Sequence, residues 1–358
     1  MTDQIANVRI ANVIGLGLIG GSVALGLKAK GWIVHGEDFR AATVDRAKTL
    51  HAIDAAGLHP GADVTFVAVP VMAVADQVKR ALTETSGAVT DVGSVKAAVC
   101  AALDDARFIG GHPMAGSELD GLDGADGDMF SGAVWVLTPV PSTSDATLSL
   151  VSSVVRELGA EAVALSPERH DQLVAVVSHV PHLAAATLMQ LASDRAVEHA
   201  ALLRLAAGGF RDMTRIASGH PSIWLDICAE NRSAIVAGLD GLIRRLDHIR
   251  TVVDQGDRNG LERLLTDARD ARTNLPGRVV HPEALAEVRI PIPDRAGAAA
   301  EVFTLAAELG VNIANFEVVH MAESNRGVAV VLVDAATSEL FRGGLLARGF
   351  KPAVTPLV

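Results

Sequence analysis

Two short segments of this sequence place side chains of the right types for redox chemistry on a small substrate. His112 follows two glycines and precedes Pro113, and Ser94 lies in the earlier segment Asp91–Lys96. An imidazole with a pKa near 6.5 can accept a proton from a substrate hydroxyl while a hydride leaves the same carbon. Ser94 could orient the imidazole or that hydroxyl, or cap a helix. From the residues alone, a structural loop histidine explains His112 as well as a catalytic one does.

A glycine-rich turn near the N-terminus predicts the binding site of a dinucleotide. Gly15, Gly17 and Gly20 come after a short β-branched run and before a helix-like stretch. The first glycine permits a tight turn, the second lets the backbone approach a pyrophosphate, and the third lets the helix pack on the strand. The helix start, with Leu18 and Ile19, then receives the phosphates. A flexible glycine loop without a ligand is the alternative.

Asp38 and Arg40 bear on the choice of dinucleotide. Asp38 lies at the end of the second predicted strand, where its carboxylate would accept hydrogen bonds from the adenosine ribose and repel a 2′-phosphate. NAD is therefore favoured over NADP as the cofactor. Arg40, two residues later, would weaken that preference.

A predicted helix in the middle of the chain carries a polar stripe. Asp171, Ser178 and His182 are spaced by seven and four residues, which puts them on one face of a continuous α-helix. They could form a hydrogen-bonded core stripe. A metal site built from His179 and His182 is disfavoured, because no carboxylate stands at ligand spacing, and we predict no metal.

The segment Gly208–Arg215 supplies concentrated cations. The formal net charge of −11 would repel an anionic substrate at long range, so a carboxylate ligand needs cations placed locally. Arg215 is the preferred clamp, because a guanidinium binds a carboxylate through two parallel hydrogen bonds. Arg211 could instead pair with Asp212. For Trp224, early in the next predicted helix, core packing is the more frequent use.

Composition excludes several classes of protein. With 358 residues, of which 49% are hydrophobic and 20% charged, the chain is expected to fold throughout into two or three domains. No Lys/Arg block approaches a nucleic-acid or membrane patch, so neither partner is expected. Cys100 and Cys228 are too few for a disulfide framework and fit a cytoplasmic protein. The polar N-terminus predicts neither a signal peptide nor a membrane helix.

The order of predicted elements divides the chain into three parts. Residues 1–166 alternate apolar strands with helical stretches, which is typical of an α/β Rossmann fold with a doubly wound parallel sheet. Residues 167–276 show only helical periodicity, including helices over 196–207 and 221–253. Residues 285–358 have the order βαββαβ of a small ferredoxin-like unit.

Taken together, these segments resemble the prephenate/arogenate dehydrogenase family of tyrosine biosynthesis across essentially the whole chain. The motifs occur in one specific order: GLGLIGGS, DVGSVK, GHPMAGSE, HDQLVAVVSHVPH, GGFRDMTRIA and Trp224. The resemblance implies a Rossmann domain followed by a helical domain that forms a homodimer. The C-terminal unit, with Gly297 after Ala296 and with Gly310-Val311-Asn312-Ile313, resembles an ACT regulatory domain, which implies inhibition by tyrosine.

The resemblance also implies roles for individual residues. His112 would act on the ring C4 hydroxyl, Ser94 would help to position it, and Arg215 would hold the ring carboxylate. The implied reaction transfers a hydride from C4 to NAD and releases the C1 carboxylate as CO2, which gives 4-hydroxyphenylpyruvate. The other positions that match the family's substrate pocket are Glu118, Asp171, Ser178, His182, Arg211, Asp212 and Trp224.

Other functions remain open at this stage. An arogenate dehydrogenase would differ only in the amino side chain of its substrate. A 3-hydroxyacid dehydrogenase would share the glycine turn but normally offers a catalytic lysine on a helix. A non-catalytic NAD and amino-acid sensor is the alternative from another class of protein.

Overall fold

The computed structural model describes residues 8–117, 119–198, 205–219, 221–274, 285–293, 297–320 and 326–356. By internal contacts the chain divides into two compact units, residues 1–264 and 265–358.

The first unit is built on a twisted eight-stranded sheet in the order β3-β2-β1-β4-β5-β6-β7-β8. All neighbours are parallel except β6 and β7, which are antiparallel. The predicted Rossmann-like sheet is therefore confirmed, with the last two strands at one edge, β7 and β8, running opposite to the other six. Its strands are β1 (Ile10–Ile14), β2 (Ile33–Glu37), β3 (Ala55–Ala56), β4 (Val64–Val67), β5 (Ala88–Asp91), β6 (Phe108–Pro113), β7 (Val134–Thr138) and β8 (Glu161–Ala164).

Helices connect these strands and cover the sheet. They are α1 (Leu18–Ala29), α2 (Ala41–Thr49), α3 (Val71–Glu84), α4 (Ala97–Ala101) and α5 (Asp145–Glu157). The first helix, α1, begins at Leu18, directly after the Gly17 N-cap. Its first N–H groups therefore belong to the glycine turn itself. The β4 side chains are all buried, as expected for a central parallel strand covered on both faces.

The rest of the first unit is helical. A five-residue π-helical turn, Ala175–His179, interrupts the long helix that begins at Pro167. A 3-10 turn, Arg215–Ser218, follows the helix Gly208–Thr214. The α-helices are α6 (Pro167–Val174), α7 (Val180–Glu198), α8 (Gly208–Thr214), α9 (Pro221–Glu230), α10 (Arg232–Asp254) and α11 (Arg258–Thr273), the last of which runs across the boundary between the units.

Two predicted helices differ from the structure. Of the helix predicted over 196–207, residues 196–198 are the last described residues of α7, whereas residues 205–207 are not α-helical. Residues 199–204 lie outside the described residues. The helix predicted over 221–253 is two helices, broken at Asn231. The Asn231 side chain forms hydrogen bonds with α6 and the π turn, which favours a break at this position.

The π turn changes which residues share a face. Because it adds about one residue to a helical turn, the side chains after it are rotated from the positions that α-helical spacing predicts. His179 is buried whereas Ser178 is only half-buried. The single stripe predicted for Asp171, Ser178 and His182 is therefore wrong.

The segment Pro167–Arg195 is long and apolar enough to cross a membrane by length and composition alone. It nevertheless contains four buried polar side chains: His170, Asp171, His179 and His182. These residues form hydrogen bonds or ring contacts inside the first unit.

The second unit contains a four-stranded antiparallel sheet in the order β10-β11-β9-β12. Its core lies between this sheet and two helices, and it includes Val288, Ile290, Val331 and Phe341. The predicted βαββαβ order is present: β9 (Leu285–Pro293), α12 (Ala298–Glu308), β10 (Ile313–His320), β11 (Arg326–Asp334), α13 (Ala335–Ala347) and β12 (Ala353–Pro356).

Candidate active site

The glycine turn between β1 and α1 has the shape that a dinucleotide requires. Gly15 has a φ of +90°, and a Cβ there would lie 2.3 Å from the carbonyl oxygen of Ala68. A Cβ on Gly20 would lie 1.9 Å from the carbonyl oxygen of Gly15, so α1 packs against the turn only with glycine at that position. A Cβ on Gly17 would meet nothing within 4 Å. The open space over Gly17 is where a pyrophosphate fits.

The Asp38 carboxylate is fixed at the end of β2. Its Oδ2 accepts the N–H of Leu16 at 2.9 Å, and its Oδ1 accepts the N–H of Arg40 at 2.9 Å. The Arg40 guanidinium lies 4.8 Å from the centroid of the exposed Phe39 ring. A cavity of about 1030 Å³ opens here and is lined by Gly15, Leu16, Gly17, Asp38, Phe39, Arg40, Arg46, Arg80 and neighbouring residues. This cavity fits the adenosine and pyrophosphate of a dinucleotide.

His112 is part of strand β6, which corrects the expectation of a loop at this position. Strand β6 continues to Pro113 because its second half pairs with β7, where His112 stands opposite Val136. Three strand spacings, roughly 14 Å, separate β6 from β1 in the sheet. The imidazole is thus held by a rigid strand at the carboxyl edge of the sheet. A nicotinamide bound through the glycine turn would extend along this edge.

A second histidine lies directly behind His112. The Nδ1 atom of His112 is 2.8 Å from the Nε2 atom of His170, and the His170 Nδ1 atom is 2.7 Å from the Asp171 Oδ1 atom. His170 is fully buried. Among the described residues, no side chain or carbonyl forms a hydrogen bond with His112 Nε2.

Asp171 joins the helical part of the unit to the nucleotide-binding part. Its Oδ1 accepts the N–H of Lys96 at 2.8 Å and its Oδ2 accepts the N–H of Ala97 at 2.9 Å, so this carboxylate caps α4. The alternative role of Ser94 as a helix cap does not hold, because α4 begins three residues later, at Ala97. The half-buried Ser94 side chain forms no hydrogen bond with the described residues.

A fully buried ion pair spans the connection between β5 and α4. Lys96 Nζ contacts Asp91 Oδ2, and both side chains are 0% exposed. Asp91 also accepts the backbone N–H groups of Gly93 at 2.8 Å and Gly111 at 3.2 Å. A buried charge pair is tolerated when its remaining hydrogen-bonding positions are filled in this way. The pair ties the end of β5 to the residue before His112.

Burial and the neighbouring groups keep His112 neutral. Desolvation is the largest cause that lowers its pKa well below 6.5, and electrostatic interactions with His170, Lys96 and His179 lower it further. A neutral imidazole is the form that accepts a proton.

The rings of His179, His182 and Trp224 contact one another in the helical part of the unit. The His182 ring stacks on Trp224 with 3.5 Å between centroids, and His182 also donates to the backbone carbonyl of Ile216. His179 Nδ1 lies 3.2 Å from Asn231 Nδ2, whereas its buried Nε2 has no hydrogen-bond partner in the described part of the chain. Burial lowers the pKa of His179 to about 4. Trp224 thus has both a core role and a contact with a predicted site residue.

The segment with the candidate clamp is exposed. Arg215 lies at the start of the 3-10 turn, next to the carbonyl of Ile216 that holds His182. Arg211 and Asp212 are exposed on α8, and Arg211 Nε donates to the carbonyl of Ala206. Glu118 lies outside the described residues, as do the ACT-like motif positions 294–296.

The sequence analysis missed four residues of the candidate site. His170, Lys96, Asp91 and Asn231 were assigned no role, although His170 directly precedes a predicted site residue. A buried lysine and a buried histidine within otherwise apolar segments are the signal that could have indicated them. Their partners are distant in sequence, and no spacing rule identifies such pairs.

The two cysteine thiols do not form a further reactive centre. Burial raises the pKa of the Cys100 thiol to about 11 and also raises that of Cys228, so both thiols are unreactive at neutral pH. Within the residues that the structure describes, no three His, Cys, Asp or Glu side chains are grouped as metal ligands.

Sequence comparison assigns two stretches of the chain to one family. Residues 23–164 match the profile described as "Prephenate dehydrogenase, nucleotide-binding domain" and residues 166–267 match "Prephenate dehydrogenase, dimerization domain". The chain is also 34% identical to a prephenate dehydrogenase of Bacillus subtilis (strain 168), with 88% of this chain and 89% of that protein covered.

Solved structures agree with this assignment. Prephenate dehydrogenase from Aquifex aeolicus, in complex with hydroxyphenyl propionate and NAD+, superposes with a TM-score of 0.71 at 29% identity, covering 75% of this chain and 99% of that one. Synechocystis arogenate dehydrogenase superposes with a TM-score of 0.65 at 31% identity, covering 74% and 99%.

Proposed function

This chain belongs to the prephenate dehydrogenase family of NAD-dependent oxidoreductases, and we propose that it oxidises and decarboxylates prephenate to 4-hydroxyphenylpyruvate with NAD as cofactor. The observation that carries the proposal is the neutral His112 imidazole, whose Nε2 has no partner among the described residues and which lies along the sheet from the glycine turn.

His112 is the proposed base. Its Nε2 accepts the proton of the substrate C4 hydroxyl while the C4 hydrogen leaves with its electron pair. NAD bound at the glycine turn supplies the hydride acceptor. Electrons from the bond between C1 and its carboxylate flow through the ring to the new C4 carbonyl, CO2 departs, and the ring becomes aromatic. The C4 oxygen then takes back the proton from His112, which gives the phenol of 4-hydroxyphenylpyruvate. The protein therefore supplies orientation, charge placement and one base.

The substrate carboxylates require cations in an acidic protein. Arg215 is the proposed clamp, because the turn that carries it is held to His182 through Ile216, and His182 stacks on Trp224. Ser94, on the β5–α4 loop, is proposed to position the C4 hydroxyl or the imidazole. Glu118, Ser178, Arg211 and Asp212 stay proposed pocket positions.

Asp171 is given a different role from the substrate contact that the family resemblance implies. Its two carboxylate oxygens accept hydrogen bonds from His170, Lys96 and Ala97, and only 4% of the residue is exposed. These contacts support a role inside the protein.

The proposed assembly is a homodimer formed by the helical part of the chain. Support comes from the match to a dimerisation domain and from an exposed apolar stripe on α10 formed by Ile243, Leu246, Ile249 and Val253. We also propose that the second unit is an ACT domain that binds tyrosine, which its βαββαβ order supports, and that the enzyme acts in the cytoplasm.

The test is a substrate and cofactor panel. NADH formation is followed with prephenate, arogenate and a 3-hydroxyacid, each with NAD and with NADP. We expect turnover with prephenate and NAD, and weaker turnover with NADP because Asp38 faces the adenosine pocket. The absence of turnover with every substrate would contradict an enzymatic function.

Arogenate is the second candidate substrate. Similarity to the Synechocystis arogenate dehydrogenase supports it at nearly the same level as similarity to the prephenate enzymes. A higher kcat/KM for arogenate than for prephenate in the same panel would favour this alternative.

A further inference from the structure

The side chains behind His112 form a chain of defined hydrogen-bond direction. The Asp171 carboxylate can only accept, so the 2.7 Å contact with His170 places a hydrogen on His170 Nδ1. Neutral His170 then presents a lone pair at Nε2, and the 2.8 Å contact with His112 places a hydrogen on His112 Nδ1. The lone pair of His112 is thereby left on Nε2, the nitrogen without a partner among the described residues.

The opposite arrangement would disable the base. If His170 carried its hydrogen on Nε2, it would donate to His112 Nδ1, and the His112 hydrogen would move to Nε2. The free nitrogen would then be a donor and could not accept a proton from a hydroxyl. The direction of these hydrogen bonds therefore decides whether His112 can act as a base, in addition to any effect on packing.

The Asp171 carboxylate, at the end of this series of hydrogen bonds, cannot easily rotate. Asp171 receives the N–H groups of Lys96 and Ala97, and its backbone carbonyl receives Asn231 Nδ2 at 2.8 Å. His170 is 0% exposed, so water does not compete for its ring nitrogens. Both residues belong to α6, whereas His112 belongs to β6, so the helical part of the unit sets the state of a side chain on the sheet.

We propose that His170 and Asp171 are positioning residues that hold His112 in the tautomer with its hydrogen on Nδ1 and its lone pair facing the substrate. This role rests on the proposed function, and neither residue needs to touch the substrate. The alternative is that the pair only fills and stabilises the contact between α6 and the sheet.

Replacements of His170 separate these roles. His170→Phe keeps the ring volume and removes the acceptor. We expect kcat with prephenate to fall about 100-fold, the lower end of the usual range for general base catalysis, while KM and NAD affinity stay near the wild-type values. His170→Gln retains an acceptor near the Nε2 position and should recover most of the loss. Arg169→Gln, which changes an exposed neighbour on α6, is the control.

A second pair of variants covers the case in which the Phe variant does not fold. The amide of His170→Asn is too short to reach His112, whereas that of His170→Gln is long enough. We expect the Gln variant to be active and the Asn variant to be impaired although both fold, as judged by thermal unfolding. Equal losses in the two would contradict the proposal.

A double-mutant cycle gives the strictest kinetic result. If His170 acts through His112, replacing it in a His112→Asn background should cause no further loss of kcat. A purely structural role predicts the same fold loss in both backgrounds, and that result would overturn the proposal. Wild-type turnover is measured first, because its absence would contradict the proposed function.

The tautomer can also be observed without a substrate. In 15N spectra of histidine-labelled protein near neutral pH, the His112 signals, assigned by their loss in His112→Asn, should show hydrogen on Nδ1. They should shift toward hydrogen on Nε2 in His170→Asn. A wild-type His112 with hydrogen on Nε2 would refute the proposal even if prephenate is the substrate.

Discussion

At the scale of single residues, the chemistry depends on the protonation of His112. Burial and the electrostatic effects of His170, Lys96 and His179 all act in the same direction and lower its pKa. The nearby carboxylates are already engaged, Asp91 by Lys96 and Asp171 by His170. His112 is therefore neutral at the pH at which a free histidine would be half protonated.

The pH dependence of kcat follows from this. The base must be neutral, and a lowered pKa means that it becomes protonated only when the pH falls well below 6.5. With saturating prephenate, we expect kcat to stay level from pH 8 through 6.5 and to fall only in more acidic solution. An acidic limb centred at 6.5 or above would contradict the assignment.

Arg215 should affect binding more than turnover. Removing a guanidinium that binds a carboxylate loses about 1.5–3 kcal/mol, so Arg215→Ala should raise KM for prephenate roughly 10- to 150-fold with a small change in kcat. Arg263→Ala, at an exposed arginine of α11, is the control and should leave KM unchanged. A loss confined to kcat would argue against a clamp.

At this scale the sequence predicted the groups better than their contacts. His112 and Asp171 could be found from motifs, because their types and places suit the chemistry. The His170 contact could not, because it joins residues 58 positions apart and depends on how α6 packs on β6. The helix cap by Asp171 spans 75 positions for the same reason.

At the scale of elements, the glycine turn separates folding from cofactor binding. Gly15→Ala forces a side chain into a left-handed conformation and against Ala68, so it should lower stability by about 1–3 kcal/mol. Gly17→Ala meets no protein atom, so the unfolding temperature should stay unchanged while the Kd for NAD rises. Calorimetry and NAD titration of both variants test this contrast. Equal NAD affinity in Gly17→Ala and the wild type would contradict the proposed pyrophosphate position.

The elements also show where periodicity misleads. Strand β6 is longer than its apolar run because β7 pairs with it in the antiparallel sense, which brings a polar histidine into a strand. The π turn at Ala175–His179 replaces the predicted polar stripe by a different set of buried residues. Both departures occur at the candidate site, where local rules give way to function.

At the scale of the whole molecule, the α10 stripe leads to a prediction about assembly. Ile243, Leu246, Ile249 and Val253 recur at helical spacing and are exposed in a single chain. Leu246→Glu combined with Ile249→Glu should convert a dimer into a monomer in sedimentation experiments. Arg244→Glu, on the opposite face of α10, should leave the dimer intact. A wild-type monomer would contradict the proposed assembly.

The two units differ in how far they are matched by the solved structures of relatives. The Aquifex aeolicus structure is matched over 99% of its length by about three quarters of this chain, a share similar to the first unit. The order of elements in the second unit could be predicted from alternating strands and helices. Its proposed response to tyrosine needs a ligand experiment, because fold alone does not specify an effector.

The most direct test of the account compares NADH formation from prephenate by the wild type and by His112→Asn, with NAD affinity measured in both. We predict turnover by the wild type and a 10²- to 10⁴-fold lower kcat in the variant, with KM and NAD affinity nearly unchanged. Wild-type protein that does not oxidise prephenate, or a variant that turns over at the wild-type rate, would contradict it.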